Sequence, residues 1–291
     1  MSPMRRPQIL GIVGLVVLCV PVALALALRG GSPSRTPSTS APQQAGTPAL
    51  PPPDAVVLAR QDGNDALTIA AERNGIRVTI FDGQARGVNG RSVSVAGAAT
   101  VPCGPGCYAA PTSARGDVPV VVDGRRFLFA IPRNTPDGSA AMRRATNAFR
   151  SLRSVTYVER LASSIHDHIV STFTLEAPNR VEYRINNGTA GIVIGTSRWD
   201  RTNGNWVESS STLLPQPLPV WGTRITNAHV LARTPNTLVI SFLNPNVPAW
   251  FEARFDARTL LPRRFDMIAA AHFMHHRYTS FNAPRKIFPP R

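Results

Sequence analysis

Residues 137–161 read DGSAAMRRATNAFRSLRSVTYVERL, and their change of rhythm decides the fold. Met142, Ala145, Phe149 and Leu152 recur at helical spacing, while Arg143, Arg144, Arg150 and Arg153 fall on the other side. That pattern is an amphipathic helix with one apolar strip. It opens after Pro136, with Asp137 or Ser139 available as a cap. From Val155 the period drops to two, and strand-like runs follow without interruption to Tyr278. They are Val155–Leu161, Ile169–Leu175, Arg180–Ile185, Gly191–Gly195, Asn205–Glu208, Ala228–Ala232, Leu238–Phe242, Trp250–Phe255, Arg263–Ile268 and Phe273–Tyr278. Asn187-Gly188 and Asn203-Gly204 supply hairpin turns. All four tryptophans and all six histidines lie in this half. The expected shape is a curved antiparallel sheet on a helix over 137–291.

Working outward, residues 54–132 also read as β structure. Ala66–Glu72, Ile76–Phe81, Arg91–Val95, Val118–Val122 and Arg126–Ile131 are separated by Asp82-Gly83, Asn89-Gly90 and Asp123-Gly124. Short strands at such spacing predict a small immunoglobulin-like β-sandwich. Residues 30–53 are rich in Pro, Ser, Thr and Gly with Arg35 as their one charge, which predicts a disordered linker. Ahead of it, the 20 residues Ile9–Leu28 carry no charge and follow Arg5 and Arg6. A run of about 20 apolar residues spans a bilayer as a helix, with basic residues on the cytoplasmic side. Residues 1–29 are therefore expected to be a single-pass transmembrane anchor in the cell membrane, with everything after Arg29 outside the cytoplasm. A cleaved secretory signal is the alternative, because Ala23-Leu24-Ala25 and Ala25-Leu26-Ala27 resemble cleavage sites. The fold class expected is thus mainly β with α, that is, α+β.

The formal net charge is +15, and Lys286 is the single lysine among 32 basic residues. The arginines are interleaved with Asp and Glu and form no basic block, so nucleic acid is not an expected partner. Anionic headgroups of a membrane are the natural neighbours of such a surface. Cys103 and Cys107, in CysGlyProGlyCys, are expected to form a disulfide in an oxidising compartment.

The segment TLEAPNRVEYRINNGTAGIVIGTSRWDRTNGNWVES (174–209) and the later AWFEARFDARTLLPRRFDMIA (249–269) resemble the LolA, LppX and LprG lipoprotein-carrier superfamily. The resemblance spans nearly all of 137–291. It implies a half-open β-barrel on a helix with an apolar cavity that receives acyl chains, and no catalytic residue. IRVTIFDGQARGVNGRSVSV (76–95) resembles, more weakly, the CopC and YtkA-like extracytoplasmic sandwiches. Residues 54–132 hold no His or Met, so the copper ligands of that group have no counterpart there.

Phe173, Tyr183, Ile192, Ile194, Trp199, Trp206, Phe242 and Trp250 are the side chains expected near the apolar face as ligand-binding residues. Each is also an ordinary core residue type. In AHFMHHRY, His272, Met274 and His276 alternate onto one strand face, a donor set suited to copper. His166 and His168 could complete such a site, and hydrogen-bonded sheet histidines are the plainer interpretation. Thr226-Asn227-Ala228-His229 imitates a serine-protease histidine motif, yet no Gly-rich serine turn follows it. With no paired carboxylates and no nucleotide-binding glycine motif, no enzyme activity and no cofactor are expected. The functional expectation is a membrane-anchored extracytoplasmic protein that carries or senses a lipid or other apolar ligand. Copper homeostasis, or docking on an envelope protein partner, are the alternatives.

Overall fold

The computed structural model describes residues 46–291, so the expected membrane segment and most of the linker lie outside the described residues. Among the described residues no helix is long and apolar enough to cross a membrane.

Nine strands come first: β1 (Val56–Asp62), β2 (Asp65–Ala71), β3 (Ile76–Phe81), β4 (Val93–Val95), β5 (Ala98–Ala99), β6 (Val101–Gly104), β7 (Cys107–Ala110), β8 (Gly116–Val122) and β9 (Arg125–Ile131). They make a five-stranded sheet ordered β1-β2-β3-β7-β6 and a four-stranded sheet ordered β5-β4-β8-β9. The two sheets share one core, with Leu58, Leu67, Ile69 and Val78 from the first meeting Val95, Val118, Val120 and Phe129 from the second. Two layers closing over alternating apolar positions make a sandwich. Cys103 and Cys107 are disulfide-bonded across the β6–β7 turn, with Cα atoms 5.0 Å apart.

The helix α1 (Ser139–Arg150) follows, and buries Ala141, Met142, Ala145 and Phe149. Its start differs from expectation. Gly138 is the N-cap residue and no side chain caps the helix. Asp137 sits one residue outside and accepts hydrogen bonds from the Ser139 amide (3.0 Å) and hydroxyl (2.6 Å).

Eleven strands complete the chain: β10 (Ser154–Ala162), β11 (His168–Glu176), β12 (Arg180–Ile185), β13 (Ala190–Ile194), β14 (Ser197–Thr202), β15 (Asn205–Ser210), β16 (Thr226–Arg233), β17 (Thr237–Asn244), β18 (Ala249–Asp256), β19 (Pro262–Ala269) and β20 (His272–Phe281). They form one antiparallel sheet, ordered β15-β14-β13-β12-β11-β10-β20-β19-β18-β17-β16. The last strand lies against the first, so β10 and β20 sit at the centre while β15 and β16 remain unpaired edges. The sheet is open, not a closed barrel. Its tight turns use the residues the geometry requires: Asn203 (φ 53°) and Gly204 (φ 87°) turn β14 into β15.

Both faces of the large sheet are covered along its central strands, while the edge strand β15 is largely exposed. One face carries α1 and the segment 211–225, whose Trp221 is fully buried against Phe149, Phe255 and Phe265. The opposite face is covered at β17–β20 by the first sandwich sheet, through a core of Val57, Ala66 and Phe81 against Leu243, Trp250, Ile268 and Phe273. Asn227 ties the joint further by donating to the carbonyls of Pro52 and Ala55. At β11–β12 the chain's last residues cross the same outer face. Ile287 is buried, its amide donates to Glu176 (2.7 Å), and its carbonyl accepts from Arg180. Arg285 reaches Glu182 at 3.2 Å.

Candidate functional site

Residues directly opposite in an antiparallel pair share a face, so the register sorts every side chain of the large sheet. Phe242, Phe251, Phe265, His276, Tyr157, Phe173 and Tyr183 all point to the helix-bearing side. Consecutive rings in that row lie 4.8–5.7 Å apart, giving an aromatic ladder with one ring on each of seven adjacent strands, β17 to β12. Phe242–Phe251, Phe251–Phe265, His276–Tyr157 and Tyr157–Phe173 are stacked. Every ring in the row is buried.

Polar groups enter this face at two places. At the far end, the Tyr183 hydroxyl donates to Asp200 (2.7 Å), and Arg198 forks onto the same carboxylate at 2.6 and 2.9 Å. Burial raises the Asp200 carboxyl, but the hydrogen bonds from Arg198 and Tyr183 outweigh it and hold the group below the usual range. Tyr183 is pushed upward by burial and by its bond to that carboxylate. Gly191 lies under the Tyr183 ring, where a Cβ would meet ring atoms at 2.3 Å; the ring can lie flat there only because no side chain opposes it.

At the centre, His276 Nε2 meets Glu159 Oε2 at 2.7 Å, with both side chains essentially shielded from solvent. Ser171 is directly opposite Glu159 on β11, and Tyr278 is two residues from His276 on β20. Four atoms in this cluster have no hydrogen-bond partner among the described residues: Glu159 Oε1, Ser171 Oγ, His276 Nδ1 and the Tyr278 hydroxyl. Burial, and then the Glu159 charge, drive the Tyr157 and Tyr278 phenols well above their ordinary range, so both keep their protons.

The register divides the residues singled out from the sequence. Phe173, Tyr183 and Phe242 stand on the helix-bearing face, in the ladder itself. Ile192, Ile194, Trp199 and Trp206 point to the opposite face, as partners of Glu182, Arg180, Glu208 and Arg201. Trp250 also faces outward, 5.3 Å from Phe81 of the sandwich. These five therefore do not converge with the first three, because one step along a strand reverses the side chain. Sequence reasoning passed over Tyr157, Phe251, Phe265, Tyr278, Glu159 and Ser171. Period-two alternation in SVTYVERL placed Tyr157 with Glu159, but a lone Glu on an apolar face reads as a solvated edge.

His272, Met274 and His276 do share one face, as expected, and their imidazoles have other partners. His276 is held by Glu159, and His272 Nδ1 lies 2.9 Å from the Ala270 carbonyl. His275, on the other face, meets Asp266 at 2.6 Å. His166 and His168 are exposed. Among the described residues no three His, Cys, Asp or Glu side chains converge as metal ligands do. His229 Nδ1 lies 3.1 Å from the Thr135 carbonyl, where it fastens the approach to α1.

A separate surface pocket of about 420 Å³ lies between the start of α1 and the edge strand β16, lined by Asp137, Ala140, Arg144, Val230, Arg233 and Leu238 among others. None of the ligand-binding or metal-binding candidates chosen from the sequence lines it.

No protein-family model and no curated protein matches the chain. Among solved structures it is similar to lipoprotein LppX of Mycobacterium tuberculosis (14% identity, TM-score 0.39, covering 51% of this chain and 97% of that one). It is similar also to LprF from Mycobacterium bovis (10%, 0.35, 54% and 99%) and to a LolA superfamily protein from Nitrosomonas europaea (11%, 0.28, 53% and 96%). The chain thus resembles LppX, LprF and LolA-superfamily structures over about half its length, at values too low to bear on ligand or mechanism.

Proposed function

We propose that this chain is a membrane-anchored, extracytoplasmic, non-enzymatic binding protein that carries or senses a lipid or other apolar ligand on the helix-bearing face of its large sheet. The observation that carries the proposal is the buried seven-ring ladder under a short helical cover. Eleven strands laid flat would measure roughly 48 Å across at about 4.8 Å per strand. The 12 residues of α1 reach only about 18 Å. One helix cannot roof such a sheet alone; Trp221 of the segment 211–225 adds to the cover, and an apolar ligand would complete the packing of the remainder of that face. A chain lipid suits that geometry, since each methylene buried contributes about 0.8 kcal/mol. Ile9–Leu28 would place the binding unit at the membrane surface, where such ligands reside.

The test is organic extraction of the purified full-length protein, followed by mass spectrometry of the extract against a mock purification. Acyl-chain species near one equivalent per protein are expected. If nothing is extracted, and the protein also fails to bind 1-N-phenylnaphthylamine, an uncharged apolar fluorophore, the proposal falls.

A further inference from the structure

The four orphaned atoms of the Glu159 cluster define a second level of recognition, one that rests on the apolar-ligand proposal above. A buried polar group left unpaired costs stability. Four of them side by side, on neighbouring positions of β10, β11 and β20, are an expensive feature to place in the middle of an aromatic face. Apolar residues of similar size would pack there without that cost, as Phe173 and Phe265 do on either side.

The donor and acceptor inventory of the cluster is specific. Glu159 offers Oε1 as an acceptor, while its Oε2 is engaged by His276. In the tautomer that donates from Nε2 to Glu159, His276 presents Nδ1 as a second acceptor. Ser171 and Tyr278 present hydroxyls, which donate as well as accept. Two fixed acceptors beside two hydroxyls match a group that can itself donate and accept. An alcohol does both. A carboxylate only accepts, and it would leave Glu159 Oε1 without a donor. An alkane does neither.

We propose that Glu159, Ser171, His276 and Tyr278 form a polar anchor within the aromatic ladder that binds the hydroxyl group of a chain-bearing neutral ligand. The ladder takes the chain, and the cluster fixes where the hydroxyl must stop. Such a division explains why polar groups stand in the row's centre instead of at its rim. It also sets a preference for hydroxylated neutral lipids over fatty acid anions of equal length.

The experiment compares chain-matched 1-dodecanol, laurate and dodecane as displacers of 1-N-phenylnaphthylamine from the full-length protein. It is repeated with Ser171→Ala and Tyr278→Phe, which remove the orphaned hydroxyls and leave the Glu159–His276 pair untouched. Because those oxygens have no partner among the described residues, their removal should not unfold the protein. Dodecanol is expected to bind at least ten-fold more tightly than dodecane or laurate. The double variant should lose that advantage while binding dodecane as before. Equal affinity for dodecanol and dodecane, or a preference untouched by the double variant, overturns the anchor and leaves the apolar-ligand proposal standing. Failure of all three to displace the probe overturns both.

Discussion

Trp221→Ala is the sharpest test of how the ladder is roofed. Trp221 is fully buried, and its ring meets Phe149 at 5.4 Å and Phe255 and Phe265 at 6.0 Å, joining the helix to the sheet. Its indole N–H donates to Thr146 of α1 (3.0 Å), and its carbonyl accepts from Asn244 of β17 (3.1 Å). Truncating a buried Trp or Phe to Ala costs about 3–5 kcal/mol. The three aromatic contacts and the indole hydrogen bond place Trp221 toward the upper end, about 4–5 kcal/mol. At about 2–4 °C per kcal/mol for a unit of this size, the thermal midpoint should fall by roughly 10–20 °C. Trp221→Phe keeps a ring between helix and sheet and loses the N–H bond, so it should cost about 1–2 kcal/mol. Urea unfolding followed by circular dichroism measures both. A loss under about 1 kcal/mol for Trp221→Ala would show that segment 211–225 does not fasten α1 to the ladder.

Four further outcomes follow from the same geometry. Asp200 and Asp266 have folded pKa values below their ordinary range, so the stability they contribute is present above about pH 4 and is lost as pH falls through the folded values. Urea midpoints should therefore drop from pH 5 to pH 3, and Asp200→Asn should flatten that slope. Gly191→Ala drives a methyl into the Tyr183 ring and should destabilise by about 1–3 kcal/mol, with partial rescue by Tyr183→Leu in the same denaturation assay. Cys103→Ser opens a loop of sequence separation 4 and should cost about 2 kcal/mol by the chain-entropy relation, read as a shift in thermal midpoint. In hydrogen exchange, α1 amides should exchange before those of central strands β10 and β20, since the helix is packed on one side only; equal protection would show that α1 is held as firmly as the centre of the sheet.

Element type was legible wherever a strand or helix buries one side. The α1 strip, β3, β8, and the run from β10 to β12 could be read directly, because alternation and helical spacing record a single buried face. Strand β1 escaped, and its neighbour β2 explains the difficulty. That sheet packs the sandwich core with one face and the large sheet with the other, so its burial is nearly continuous along DALTIAA and alternation is lost. Strand β14 escaped for the opposite reason. SRWDRT carries Arg198 and Asp200 on its inward face, where they satisfy each other and Tyr183, and inward charges look like a turn when read alone.

Face assignment was the deeper obstacle, and it concerns the site itself. Trp250 and Phe251 are adjacent on β18, both aromatic and both buried, yet one serves the joint with the sandwich and the other the ladder. A sheet covered on both sides carries large apolar residues at both parities, so composition cannot say which parity faces the helix. What separates the faces is the polar residues each one tolerates. The outer face carries Glu182, Glu252 and Asp266, all paired with arginine or histidine, and a single small hydroxyl, Ser241 opposite Glu252, stands unpartnered there among the described residues of its strands. The inner face carries Glu159, which is paired on one oxygen only and has Ser171 and Tyr278 unpartnered beside it. An unsatisfied carboxylate oxygen surrounded by stacked rings is hard to account for as packing, since the fold would be more stable without it. Its position at the junction of β10 and β20, where the first and last strands of the large sheet meet, makes it the point at which the proposed anchor is tested.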